Sequence, residues 1–157
     1  SASDSETSAP YTVAFGTLAT GSVTTATDKV WLDLASNAEG GGFVYVYGAG
    51  TGLTSVAAGH TIPSVTANLA VTSEGYGMRV DSVTQSAGGP LVAVSPYDGS
   101  AENVGVIDTT SRTVLSSSSA PITAGRGAFL LKASTDTMTP AAGDYTETLT
   151  VVASATF

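Results

Sequence analysis

Apolar side chains recur at every second position along much of this chain, and clusters of glycine, proline and serine separate the repeats. Successive side chains of an extended chain point to opposite sides, so this spacing is the signature of strands with one buried face. Residues 11–15 put Tyr11, Val13 and Phe15 on one face. Residues 29–35 put Val30, Leu32 and Leu34 together, with Trp31 and Asp33 opposite. Residues 42–48 contain Phe43-Val44-Tyr45-Val46-Tyr47, apolar on both faces, which predicts a central strand covered on both sides. Further strands are predicted at 67–72, where Ala67, Leu69 and Val71 alternate, and at 76–83, where Tyr76, Met78 and Val80 do. Shorter apolar pieces lie at 91–94, 104–107 and 128–133. The longest predicted strand covers 145–157. One face carries Tyr145, Glu147, Leu149, Val151, Ala153, Ala155 and Phe157, and the other is rich in hydroxyls.

Between these pieces lie Gly40-Gly41-Gly42, Gly48-Ala49-Gly50-Thr51-Gly52, Gly88-Gly89-Pro90, Pro96-Tyr97-Asp98-Gly99 and the serines at 116–119, all turn or loop chemistry. A single helical turn at 55–58 is the one helical expectation. The pattern predicts an all-β chain: a single β-sandwich of about 8–10 strands, jelly-roll or immunoglobulin-like. It occupies 11–157, behind a flexible leader at 1–10 that lacks bulky apolar side chains.

Charged residues make up 11% of the chain, well under the roughly 25% usual for globular domains. The polar surface must therefore come from serine, threonine, glycine and asparagine, which favours strands and turns over solvated helices. Net charge is −8, and Lys29, Arg79, Arg112, Arg126 and Lys132 are scattered. Nucleic-acid binding needs clustered cations, and so does docking on an anionic membrane; both are excluded as expectations. No apolar run approaches the roughly 20 residues of a membrane helix, so no membrane insertion is expected. There is no cysteine, which removes disulfides, thiolate metal sites and cysteine nucleophiles. The opening Ser1-Ala2-Ser3-Asp4-Ser5-Glu6 reads like a terminus left after removal of a secretion signal, so a secreted, extracellular or cell-surface location is expected.

Catalytic chemistry finds little material. His60 stands alone in a loop-like stretch, and neither a Gly-x-Ser-x-Gly elbow nor His-Glu-x-x-His occurs. Carboxylates such as Asp28, Glu39, Glu74, Asp98, Glu102 and Asp136 sit beside turns, where solubility and turn formation account for them. The chain is expected not to be an enzyme, with no catalytic residue, no metal ligand and no cofactor assigned. Calcium is left open, because loop carboxylates and carbonyls suit an oxygen cage, but no EF-hand spacing gives it a position. The glycine clusters lack the Gly-Lys-Ser/Thr ending of a phosphate loop. Trp31 and the tyrosines are the material of a sugar-stacking platform, although most are expected in the core or on sheet faces.

The stretch Thr139-Pro140-Ala141-Ala142-Gly143-Asp144-Tyr145-Thr146-Glu147-Thr148-Leu149-Thr150-Val151 resembles the pattern that closes many bacterial surface β-sandwiches. It looks like the final hairpin of spore-coat-U-like and related fimbrial subunits. Val13-Ala14-Phe15-Gly16 is similar to the opening of the same group, and Gly127-Ala128-Phe129-Leu130-Leu131-Lys132-Ala133 also looks like bacterial surface proteins. Spore-coat-U-like subunits commonly carry cysteines, and this chain departs from them there. The resemblance implies a structural subunit of an extracellular filament, pilus, fimbria or coat. Such a subunit forms a homopolymer by donor-strand complementation, in which an extended segment of one copy adds a strand to the next. The candidate donor strand is 11–18, with Tyr11, Val13, Phe15 and Leu18 as its apolar positions; the strand ending at Phe157 is the rival. An ordinary first strand within its own fold is the plain alternative for 11–15. The second functional reading is a carbohydrate-binding or adhesin module of a cell-surface protein, with surface glycans as partners.

Overall fold

The computed structural model describes Ala9 and residues 11–157. The predicted leader at 1–10, Ala9 apart, lies outside the described residues. Thirteen strands follow one another: β1 (Val23–Thr25), β2 (Val30–Ser36), β3 (Gly42–Gly48), β4 (Gly52–Ser55), β5 (His60–Pro63), β6 (Ala67–Asn68), β7 (Gly75–Thr84), β8 (Ala87–Gly88), β9 (Val92–Ala93), β10 (Asn103–Val104), β11 (Arg112–Ser116), β12 (Ile122–Ser134) and β13 (Leu149–Ala155). There is no helix among the described residues. Every strand-to-strand pairing is antiparallel, and the whole is an all-β, sandwich-like fold.

The first sheet is organised by β12. On one side it pairs β2 and then β1, with Phe129 opposite Val30 and Ser134 opposite Val23. On its other side it pairs β8 and then β7. The second sheet has the order β13-β3-β11-β9. Close approaches show how the sheets lie on each other. A Cβ on Gly42 would sit 3.1 Å from Leu34, so β3 lies over β2. One on Gly127 would sit 2.5 Å from Leu115, so β11 lies over β12, and only glycine fits there. Beyond them, Val80 N donates to Tyr97 O at 2.8 Å, tying β7 to the loop after β9. This sequence of overlaps leaves β13 hanging beyond β2. Tyr76, Met78, Val80, Phe129 and Leu131 of the first sheet pack on Val44, Val46, Val114 and Leu115 of the second to form the core.

Several elements differ from the pattern-based expectation. Residues 11–15 form no strand. The predicted strand at 67–72 shrinks to β6, because Asn68 turns the chain: its side chain accepts from Ala70 N and its carbonyl from the Thr72 hydroxyl. The helical turn expected at 55–58 is the hairpin turn between β4 and β5, closed by Gly59 at φ +61°. β3 is central, as expected, yet covered on one side only: Val44 and Val46 are buried, whereas Phe43, Tyr45 and Tyr47 are half-buried. β13 begins at Leu149 rather than 145. Residues 139–148 loop instead, with Tyr145 Oη donating to Pro140 O at 2.8 Å and Asp144 accepting from Ala57 N at 3.0 Å. The expected final hairpin is absent too, since β12 and β13 belong to different sheets.

Ion pairs fasten the loops. Asp108 accepts from both terminal nitrogens of Arg112 and from Thr110 N, and the Arg112 bond above all holds its carboxyl down to about 2. Asp81 is held below its usual value, chiefly by Lys29, and Asp144 chiefly by the Ser55 hydroxyl. A carboxylate depressed on folding stabilises the fold fully above its unfolded value and loses that contribution as pH falls toward its folded one. Stability is therefore expected to hold down to about pH 4 and to fall steadily toward pH 2. Urea midpoints at pH 7, 4 and 2.5 check this; no change between 4 and 2.5 would remove these carboxylates from the account.

Candidate functional site

Sheet edges are where this fold is unfinished. Among the described residues β2 pairs only with β12, and β13 only with β3. Each has a free edge, and both border one cleft of about 1390 Å³. Its apolar walls come from both sheets: Val30 of β2, Val46 of β3, Met78 of β7, Phe129 and Leu131 of β12, and Leu149 and Val151 of β13. The offset between the sheets creates it. Val151, Ala153 and Ala155 stand opposite Val46, Val44 and Gly42 in register, so they point toward the first sheet. Among the described residues no strand lies beneath them, and Val151 remains 37% exposed. The face of β13 expected to be buried is therefore largely open.

Residues 11–18 run along this cleft and line it. Val13, Phe15 and Leu18 are half-buried against the core, and Phe15 meets Tyr76 edge-on with centroids 6.1 Å apart. Tyr11 is 69% exposed and takes no part in that packing. Ala14 O accepts from Thr27 N at 2.9 Å and from the Thr27 hydroxyl at 3.0 Å, just before β2 begins. The alternation seen in the sequence is thus preserved, with Val13 and Phe15 inward and Ala14 outward, but without a strand ladder along β2. All four candidate donor positions line the one cleft, and three of them, Val13, Phe15 and Leu18, pack on the core.

The mouth of the cleft is polar. Arg126 Nε donates to Asp33 Oδ1 at 2.8 Å, and its guanidinium lies 5.2 Å from the centre of the Trp31 ring. Trp31 Nε1 is buried and meets no acceptor among the described residues. At the other end Glu147 Oε1 accepts from Gly50 N at 3.0 Å. Burial pushes the Tyr76 phenol far above its ordinary value, and the Glu147 charge adds to this. Residues 139–148 close that end.

His60, the lone histidine, begins β5. Its Nε2 lies 2.8 Å from Glu74 Oε1, which also accepts from the Thr139 hydroxyl at 2.6 Å, and its ring meets Tyr145 edge-on. These contacts tie β5 to the loop before β13. Among the described residues no group of three or more histidine, aspartate or glutamate side chains could hold a metal ion. Among the described residues no helix is long and apolar enough to cross a membrane.

The pattern of the sequence found Val13 and Phe15 but not what they pack against. Val30 and Val151 read as ordinary core positions. Their exposure follows from the lateral offset of two sheets, which no local spacing encodes. No family model, curated protein or solved structure matches this chain.

Proposed function

We propose that the protein is a structural subunit of an extracellular bacterial filament or coat, and that it assembles when a neighbour's strand adds to the free edge of β2, beneath β13. The open inward face of β13 opposite that unpaired edge carries the reading. A strand entering there would form main-chain hydrogen bonds with β2, each contributing about 1 kcal/mol, and would cover Val151, Ala153 and Ala155. β2 has seven residues, a span of about 23 Å, and residues 11–18 match it in length. Their alternate apolar side chains suit a groove with apolar walls on one side and water on the other. In the monomer the segment rests on its own cleft; in a filament it occupies the cleft of the next copy. Secretion and cell-surface location belong to the same proposal, supported by low charge and abundant hydroxyls.

The test is negative-stain electron microscopy of the full chain beside a form lacking residues 1–16. The full chain is expected to form filaments and the shortened form to stay monomeric. Filaments of unchanged number and width from the shortened form would end the donor role. Phe15→Asp separates assembly from folding: it is expected to abolish filaments while leaving circular dichroism native.

A further inference from the structure

On the opposite side of the second sheet from the cleft lies a second surface, and it bears rings. Phe43, Tyr45 and Tyr47 alternate along β3 with the buried Val44 and Val46, so all three face outward. Alternate residues of a strand repeat about every 6.8 Å, so the rings form a strip about 14 Å long. The Phe43 and Tyr45 rings are within 29° of parallel, with centroids 6.3 Å apart. Mostly hydroxyl side chains flank the strip: on β13 Thr150 and Ser154 stand opposite Tyr47 and Phe43, with the exposed Val152 between them opposite Tyr45, and on β11 Thr113 stands opposite Tyr45 and Ser116 opposite Phe43. None of these outward positions is charged, in a chain of net charge −8. Tyr97 and Tyr145 commit their hydroxyls to backbone carbonyls. The Tyr45 and Tyr47 hydroxyls have no protein partner among the described residues.

We infer that this strip binds a neutral, extended polysaccharide by stacking sugar rings on Tyr45 and its two neighbours. A pyranose ring has an apolar face of C–H groups and a rim of hydroxyls. Aromatic faces match the first, and side chains able both to donate and to accept match the second. The lack of charge selects an uncharged ligand over an acidic one, which the net negative field would also repel. A straight strip suits a flat, linear chain better than a branched one. Because the rings point away from the cleft, a filament subunit would keep them exposed, and this site does not depend on the assembly reading.

The experiment is co-sedimentation of the full chain with microcrystalline cellulose, chitin and linear β-1,3-glucan, three uncharged solids. Retention on at least one is expected, and it should survive high salt, because no ion pair is involved. Tyr45→Ala is expected to bind about tenfold more weakly, Tyr47→Ala similarly, and Tyr45→Phe much less so, with thermal melts showing each variant folded. Absence of retention on all three solids overturns the inference, and so do alanine variants that bind like the parent. Sedimentation velocity supplies the remaining arm. Self-association of the parent lost in Tyr45→Ala would give the face to a second copy of the chain and overturn the glycan site.

Discussion

Phe129→Ala is expected to lower the stability of the domain by about 3–5 kcal/mol. Phe129 has no exposed surface and sits mid-way along β12, opposite Val30 on one side and Val80 on the other. Its ring fills the space where both sheets meet, and it also forms part of the cleft wall. The flanking strands are tied to β12 by ladders on both sides, so they cannot close the void, and most of the cavity cost should remain. That loss is a large share of the 5–15 kcal/mol typical of a whole domain. Urea unfolding checks it: the midpoint should fall with little change in slope. A loss below about 1 kcal/mol would mean that the sheets are not packed together at this point.

Glu102→Ala is expected to cost about 3 kcal/mol, more than any other single surface-accessible change, because of what it leaves behind. Lys132 lies near the C-terminal end of β12, between β1 and β7, with its side chain only 6% exposed, and Nζ is 2.7 Å from Glu102 Oε2. Removing the carboxylate leaves the ammonium group buried in the sheet without its partner. Lys132→Met removes charge and need together, and is expected to change stability by less than about 1 kcal/mol. The pair of variants separates two explanations. If Glu102→Ala proves neutral, water reaches Lys132 and the pair is an ordinary surface contact. If both variants are costly, the lysine stem is packing the sheet rather than carrying a charge.

Period-two spacing revealed most of the sheet, and the exceptions have local causes. β2 and β3 appear where alternation placed them, because each keeps one inward face, and β7 does so up to Val80, beyond which its register shifts at Asp81 and Val83 turns inward. β11 escaped because its register shifts at Val114, which leaves Val114 and Leu115 both buried and breaks the alternation. The first part of β12 escaped because Thr123-Ala124-Gly125-Arg126 is polar or small, and its register shifts there too. Residues 11–15 misled in the other direction. They alternate well, and Val13 and Phe15 do face inward, but a strand also needs a neighbour's backbone in register. The cleft itself could not be read from spacing at all. It arises from the placement of β13 beyond β2, a relation between segments more than a hundred residues apart.

β12 sets an order of events for the first sheet. Its partners β1, β2, β7 and β8 all precede it, and the pairing of Val23 with Ser134 spans most of the chain. Contacts so distant in sequence make folding slow, because loop closure must come before any ladder rewards it. Until residue 122 has emerged from the ribosome, these four strands have no template to line up on. The first sheet is thus the late-assembling half of the molecule, whereas the β4–β5 hairpin and the β3–β11 ladder are complete in sequence before β12 is made.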